Sequence, residues 1–185
     1  ATASGASNVN GLSDGLVESN SMYIGNDPSS TTDNAQYNVA LGATALDAIT
    51  TGDQNVGVGY NALSSNTTGG SNTAIGKGAL EDNTSGEGNT GVGYVALANN
   101  TSASYNTAIG NGVLAYNTTG AYNTGMGYNP LNSNTTGARN LAIGYGALDY
   151  PDTENDNIAI GYDALSGSIA GGEFNLAIGN YVLDA

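Results

Sequence analysis

The chain has no cysteine, no histidine, no tryptophan, one phenylalanine and only two basic residues, Lys77 and Arg139. Without Cys there is no disulfide framework and no thiolate metal site. Without His the commonest general base and transition-metal ligand is missing, and Ser is confined mostly to turns, so the reading is non-enzymatic. Two basic residues against 16 acidic ones give a net charge of −14. Nucleic acid and anionic membrane both need clustered Lys and Arg, and neither is expected as a partner. No apolar run approaches the length of a membrane span, and no basic-then-apolar leader opens the chain, so no membrane insertion is expected. Beginning at Ala1 rather than Met, the sequence reads as a processed product or a segment of a longer polypeptide.

What fills the chain is repetition. The pentad Asn, variable, Ala or Gly, aliphatic, Gly starts at Asn38 and returns at Asn55, Asn72, Asn89, Asn106, Asn123, Asn140 and Asn157, a period of 17 residues, with a further copy at Asn175 one residue late. Ser21-Met22-Tyr23-Ile24-Gly25 is a degenerate first copy in the same phase. A fixed period of this kind predicts a solenoid. The fold expected is all-β, a parallel β-solenoid of about ten 17-residue coils over 21–185, preceded by a lead-in segment or N-terminal cap over 1–20.

Counting the pentad Asn as position 1, each coil reads as a short strand over positions 1 to 5, a Gly turn, an Ala-Leu pair at positions 8 and 9, and an Asn-Thr-Thr-Gly corner at 12 to 15, as in Asn66-Thr67-Thr68-Gly69. Gly and Asn at fixed offsets supply the positive φ that tight corners need. Strand alternation sends positions 2 and 4 to one face and position 3 to the other. The aliphatic column at position 4 (Ile75, Val92, Ile109, Ile143) and the Leu column at position 9 (Leu80, Leu97, Leu114, Leu148) are expected to stack as the solenoid core. The column restricted to Ala or Gly at position 3 (Ala74, Gly91, Ala108, Gly125) is expected to pack closely against something, and the thin core points to an inter-chain contact there.

Tyr recurs at position 6 (Tyr60, Tyr94, Tyr128, Tyr145, Tyr162) and at position 17 (Tyr37, Tyr105, Tyr122). Exposed aligned rings suit sugar rings, and Tyr37, Tyr105 and Tyr122 are the candidate glycan contacts; the plainer reading of position 6 is that its rings cover the Gly corner or fill an inter-subunit groove. A Thr column at position 2 (Thr73, Thr90, Thr107, Thr124) raises ice binding as an alternative, although aliphatics hold that position elsewhere. The Asn column is most simply a hydrogen-bonded ladder. The acidic pair Glu81-Asp82 and the cluster Asp149, Asp152, Glu154 and Asp156 are candidates for Ca²⁺, but they lack the spacing of a dedicated calcium loop and read more plainly as solvated charge, so no cofactor is expected.

Asn72-Thr73-Ala74-Ile75-Gly76 followed by two residues and Ala79-Leu80 resembles the head repeat of trimeric autotransporter adhesins, and the longer unit with Asn-Thr-Thr-Gly resembles the repeats of tail-fibre-like structural proteins of marine bacteriophages. The resemblance implies a left-handed β-roll in a homotrimer, located on a virion or an extracellular surface. It implies a fibre spacer with host-receptor adhesion as a second task, or alternatively the glycan-binding head of a bacterial surface adhesin. The adhesin unit is shorter than this one, so the additional residues should enlarge one corner. Because the Asn175 coil stops after Leu183-Asp184-Ala185, before its Asn-Thr-Thr-Gly corner, a neighbouring fibre protein or the next copy is expected against it.

Overall fold

A computed structural model describes residues 15–18, 20–25, 34–150, 153–167 and 172–184. Most of the lead-in, the corner after Gly25, Asp152 and Ala185 lie outside the described residues. The chain is an all-β solenoid with no helix among the described residues. One eleven-stranded sheet carries the strands in sequence order. Ten of them run parallel, from β2 (Ser21–Ile24) and β3 (Val39–Leu41) through to β11 (Leu176–Ile178). Only β1 (Gly15–Glu18) is antiparallel, paired with β2. The register shifts by one coil at every step, so Ile75 lies beside Val92 and Val92 beside Ile109.

The strands form one wall, and the other walls are built from turns that are laddered in the same way. The Leu80 N–H donates to the Ala96 carbonyl (2.9 Å) and the Thr84 N–H to the Thr101 carbonyl (2.9 Å). Each backbone bond of this kind joins a residue to the equivalent region of the next coil, which satisfies donors and acceptors without helix or second sheet.

Side-chain parity is the reverse of the expectation. Ala40, Ala74, Ala108, Ala142, Ala159 and Ala177 at position 3 are fully buried in the chain's own interior, and Gly91 and Gly125 stand in the same buried column. Position 4 faces outward: Ile75 is 41% and Ile109 36% exposed, while Val92 and Ile143 are half-buried. The Leu column, including Leu80, Leu97, Leu114 and Leu148, is fully buried. The reason is width. A Cβ built on Gly91 would lie 3.4 Å from the Leu80 Cγ and 3.1 Å from the Ala96 carbonyl oxygen. The Leu of one coil fills the space beneath the strand of the next and leaves room for a methyl group at most. The close packing inferred for position 3 is therefore intramolecular, and Ala74, Gly91, Ala108 and Gly125 are not available as an inter-chain contact. At the N-terminal end of the stack the Ala column is replaced by Tyr23, fully buried, whose ring fills the width that Leu and Ala share elsewhere.

Two buried Asn ladders fasten the coils. At position 1 each side-chain oxygen accepts the backbone N–H of the next Asn, as from Asn106 to Asn89 (2.9 Å), and each amide donates across its coil to position 15, as from Asn89 to the Ala103 carbonyl (2.8 Å). At position 12, Asn83, Asn100, Asn117 and Asn134 each donate to the Asn one coil earlier, in a series that begins at Asn66, at 2.7 to 3.0 Å. They also donate to the same position-15 carbonyl, Asn100 reaching Ala103 at 3.0 Å. In the five coils from Asn55 to Asn123 one carbonyl thus receives two amide donors, which ties the strand to the corner opposite it.

The corners impose left-handed backbone on side chains that dislike it. Every Leu of the core column has φ between 50° and 56°, and position 7 is left-handed too, with Val95 at 48°. A β-branched residue is the least suited to that region. Asn61 and Asn129 hold the same position at 57° and 55°. Val95→Asn should therefore stabilise the chain by about 1 kcal/mol, readable as a rise of roughly 2 to 4 °C in the thermal midpoint. An unchanged or lowered midpoint would show that Val95 packing outweighs its backbone strain.

Candidate functional site

Three outward columns carry side chains able to meet another molecule. The first is the outer face of the sheet, where positions 2 and 4 alternate with the buried Ala. Leu41 (47%), Met126 (43%) and Ile178 (62%) join Ile75 and Ile109 as exposed aliphatics. Beside them Thr73, Thr90, Thr107 and Thr124 stand in register, half-buried, and Val39, Val56 and Leu141 continue the column in the flanking coils. With strands about 4.8 Å apart, this is an apolar strip roughly 45 Å long and two side chains wide.

The second column is position 6, just around the Gly corner. Tyr128, Tyr145 and Tyr162 stack with centroids 5.2 and 4.8 Å apart and planes within 6°. Tyr181 adds a tilted ring at 5.3 Å. In the earlier coils Lys77 stands between Tyr60 and Tyr94, its ammonium 6.0 and 5.8 Å from the two ring centroids. All these rings are about half exposed; Tyr128, Tyr145, Tyr162 and Tyr181 lie against one another, whereas Tyr60 and Tyr94 are separated by Lys77. Stacking at this distance occupies the faces of the inner rings and leaves their edges and hydroxyls outward.

The chain matches no protein-family model, no curated protein and no solved structure.

The third column is the corner at positions 16 and 17. Tyr37, Tyr105 and Tyr122 are all exposed there, and Tyr105 and Tyr122 stack at 5.3 Å with planes 15° apart. Tyr37 is not brought to them, because Gln54, Ser71 and Gly88 occupy the same column in between. Among the described residues, which do not include Asp152, no three metal-ligating side chains converge. Asp156 is taken by Arg139, which donates from both Nε and Nη2 at 2.7 Å, and that guanidinium holds the carboxyl below its ordinary value. Asp149 is pushed up instead, by burial first and by the nearby Asp163 second. Glu81 accepts from the Asn61 amide at 2.8 Å. The Asn residues of the Asn-Thr-Thr corners are buried, so Asn66, Asn117 and Asn134 are closed to modification in the folded chain.

Proposed function

We propose that this chain is a spacer segment of a virion tail fibre or similar extracellular appendage, a rod held together as a homotrimer, with receptor contact as a second task. The observation that carries this reading is the apolar strip at positions 2 and 4. Soluble monomers seldom leave a continuous apolar strip of this size open to water, and Ile75, Ile109 and Met126 contribute little to their own chain's interior. Three copies facing inward would bury the strip, add the core that one thin roll lacks, and leave the acidic corners outside to keep fibres apart. The stack itself suits a spacer, since each coil touches only its neighbours and length scales with coil number.

A native mass spectrum should give three chains per particle. Ile75→Asp combined with Ile109→Asp should lower that to one while leaving the circular dichroism spectrum of the coil unchanged, because neither side chain enters the core. A wild-type chain that is monomeric at micromolar concentration would overturn the trimer. A second reading, ice binding, has the outward register of Thr73, Thr90, Thr107 and Thr124 in its favour, and measurable thermal hysteresis would replace the fibre reading with it.

A further inference from the structure

At the corner of positions 16 and 17 the aromatic column is interrupted, and the interruption leaves a notch of about 280 Å³. Its floor is Gly70 and Gly88, its flanks are Asp53 and Glu87, and its end is the ring of Tyr105. One side of that ring is closed by Tyr122. The other side looks over Gly88, where a Cβ would come within 2.8 Å of the ring Cδ1 and 3.0 Å of Cε1. The missing side chain at 88 lets the Tyr105 ring lean over that glycine and line the notch. The walls are held by the coil ladder: the Gln36 N–H donates to the Asp53 Oδ1 (2.7 Å), the Ser71 N–H to the Asp53 carbonyl (2.8 Å) and the Gly88 N–H to the Gly70 carbonyl (3.0 Å). The Ser71 hydroxyl donates to the Gln54 Oε1 at 3.2 Å, which leaves the Gln54 amide N–H groups to face solvent.

We infer that this notch is a subsite for one neutral pyranose ring of a surface glycan. The inference rests on the receptor-contact part of the proposed function. The C–H face of a sugar is apolar and packs on an open aromatic ring, while its rim of hydroxyls needs acceptors. Glu87 and Asp53 supply charged acceptors on either side of the notch, the stronger kind of hydrogen-bond partner. The same carboxylates, in a chain of net charge −14, repel uronic and sialic acids. Pockets for drug-sized ligands begin near 300 Å³, so this notch suits one ring rather than a folded oligosaccharide. The stacked inner rings of the position-6 column, with both faces covered, lack this opening.

Saturation-transfer NMR on the intact chain, with methyl glycosides of glucose, galactose, mannose and N-acetylglucosamine as probes and glucuronic acid beside them, tests the site. At least one neutral glycoside should receive transfer and glucuronic acid none. Tyr105→Ala should weaken the signal at least tenfold. Gly88→Tyr should do the same by extending the stack into the notch; its φ of 65° is close to the 62° of Tyr105 and Tyr122 in the same column, the exposed Tyr105 ring has to tilt away from the new Cβ, and a circular dichroism spectrum like that of wild type checks the fold. Tyr145→Ala, inside the other stack, should leave binding unchanged. Binding that survives both notch variants but is lost in Tyr145→Ala would overturn the notch while keeping receptor contact. Preferred binding of glucuronic acid would overturn the notch as well. No transfer to any glycoside would overturn both the notch and receptor contact, whereas the rod is judged separately by the mass spectrum.

Discussion

Gly110→Ala should abolish the stacked fold. Gly110 has φ 131°, a conformation closed to residues with a Cβ, and the added methyl carbon would fall inside the Gly127 carbonyl oxygen and within 2.8 Å of its carbon. Neither atom belongs to a side chain that could turn away. The same geometry recurs at position 5 from Gly42 to Gly161, with the carbonyl of the following Gly in the way each time, so relief at one coil shifts the strain to the next. The loss should exceed about 4 kcal/mol, the range reserved for backbone strain combined with steric overlap. Gly57→Ala is the matched control. It places a methyl group in the interior column where Ala74 and Ala108 already sit, and it should change stability by less than about 1 kcal/mol. Thermal unfolding followed by circular dichroism separates the two. Equal midpoints would mean that the corner tolerates a Cβ and that the Gly column has another cause.

Asn89→Asp should be the second most damaging substitution, although it changes almost no volume. The amide of Asn89 donates to the Ala103 carbonyl (2.8 Å) and to the Asn72 side-chain oxygen (3.2 Å), both acceptors. A carboxylate in its place would direct negative charge at two oxygens in a fully buried site. The cost of an uncompensated buried charge is about 3 to 5 kcal/mol. That penalty belongs to the ionised form, so the folded-state pKa of the new Asp must lie above its unfolded value. Stability is then higher below the unfolded pKa and falls as pH rises toward the folded one. The variant should accordingly recover part of its midpoint on acidification, by more than wild type does. A variant as stable as wild type at neutral pH would remove the ladder from the list of forces that hold the coils.

The period made the solenoid legible before any coordinates, because only a stacked coil keeps Asn, Gly and Leu at constant offsets over so many copies. The orientation of the strand was not legible. Alternation separates Ala74 from Thr73 and Ile75, but all three tolerate burial, and a volume argument favours Ile over Ala as core. What decides it is the distance between the strand and Leu80, which depends on left-handed corners that no propensity would assign to Leu or Val. The position-1 Asn ladder followed from its spacing, whereas the position-12 ladder was hidden inside a motif that reads as a turn. At the third corner, Tyr105 and Tyr122 stood out as aromatics, but the notch beside them comes from the absence of side chains at Gly70 and Gly88, and an absence in a glycine-rich chain has little contrast.

The one-coil offset of the backbone bonds also sets how the chain reaches this structure. The Thr73 N–H meets the Asn89 carbonyl and the Gly93 N–H meets the Ile75 carbonyl, so partners stay about one coil apart along the whole stack. A 17-residue separation in a chain of 185 residues is a relative contact order of about 0.09, within the span of small helical bundles and far below that of barrels and sandwiches. Each new coil needs only the edge of the one before it. The search is therefore local and directional, and a chain delivered from its N-terminal end meets a finished template at every step, so that adding coils lengthens the rod without lengthening the search.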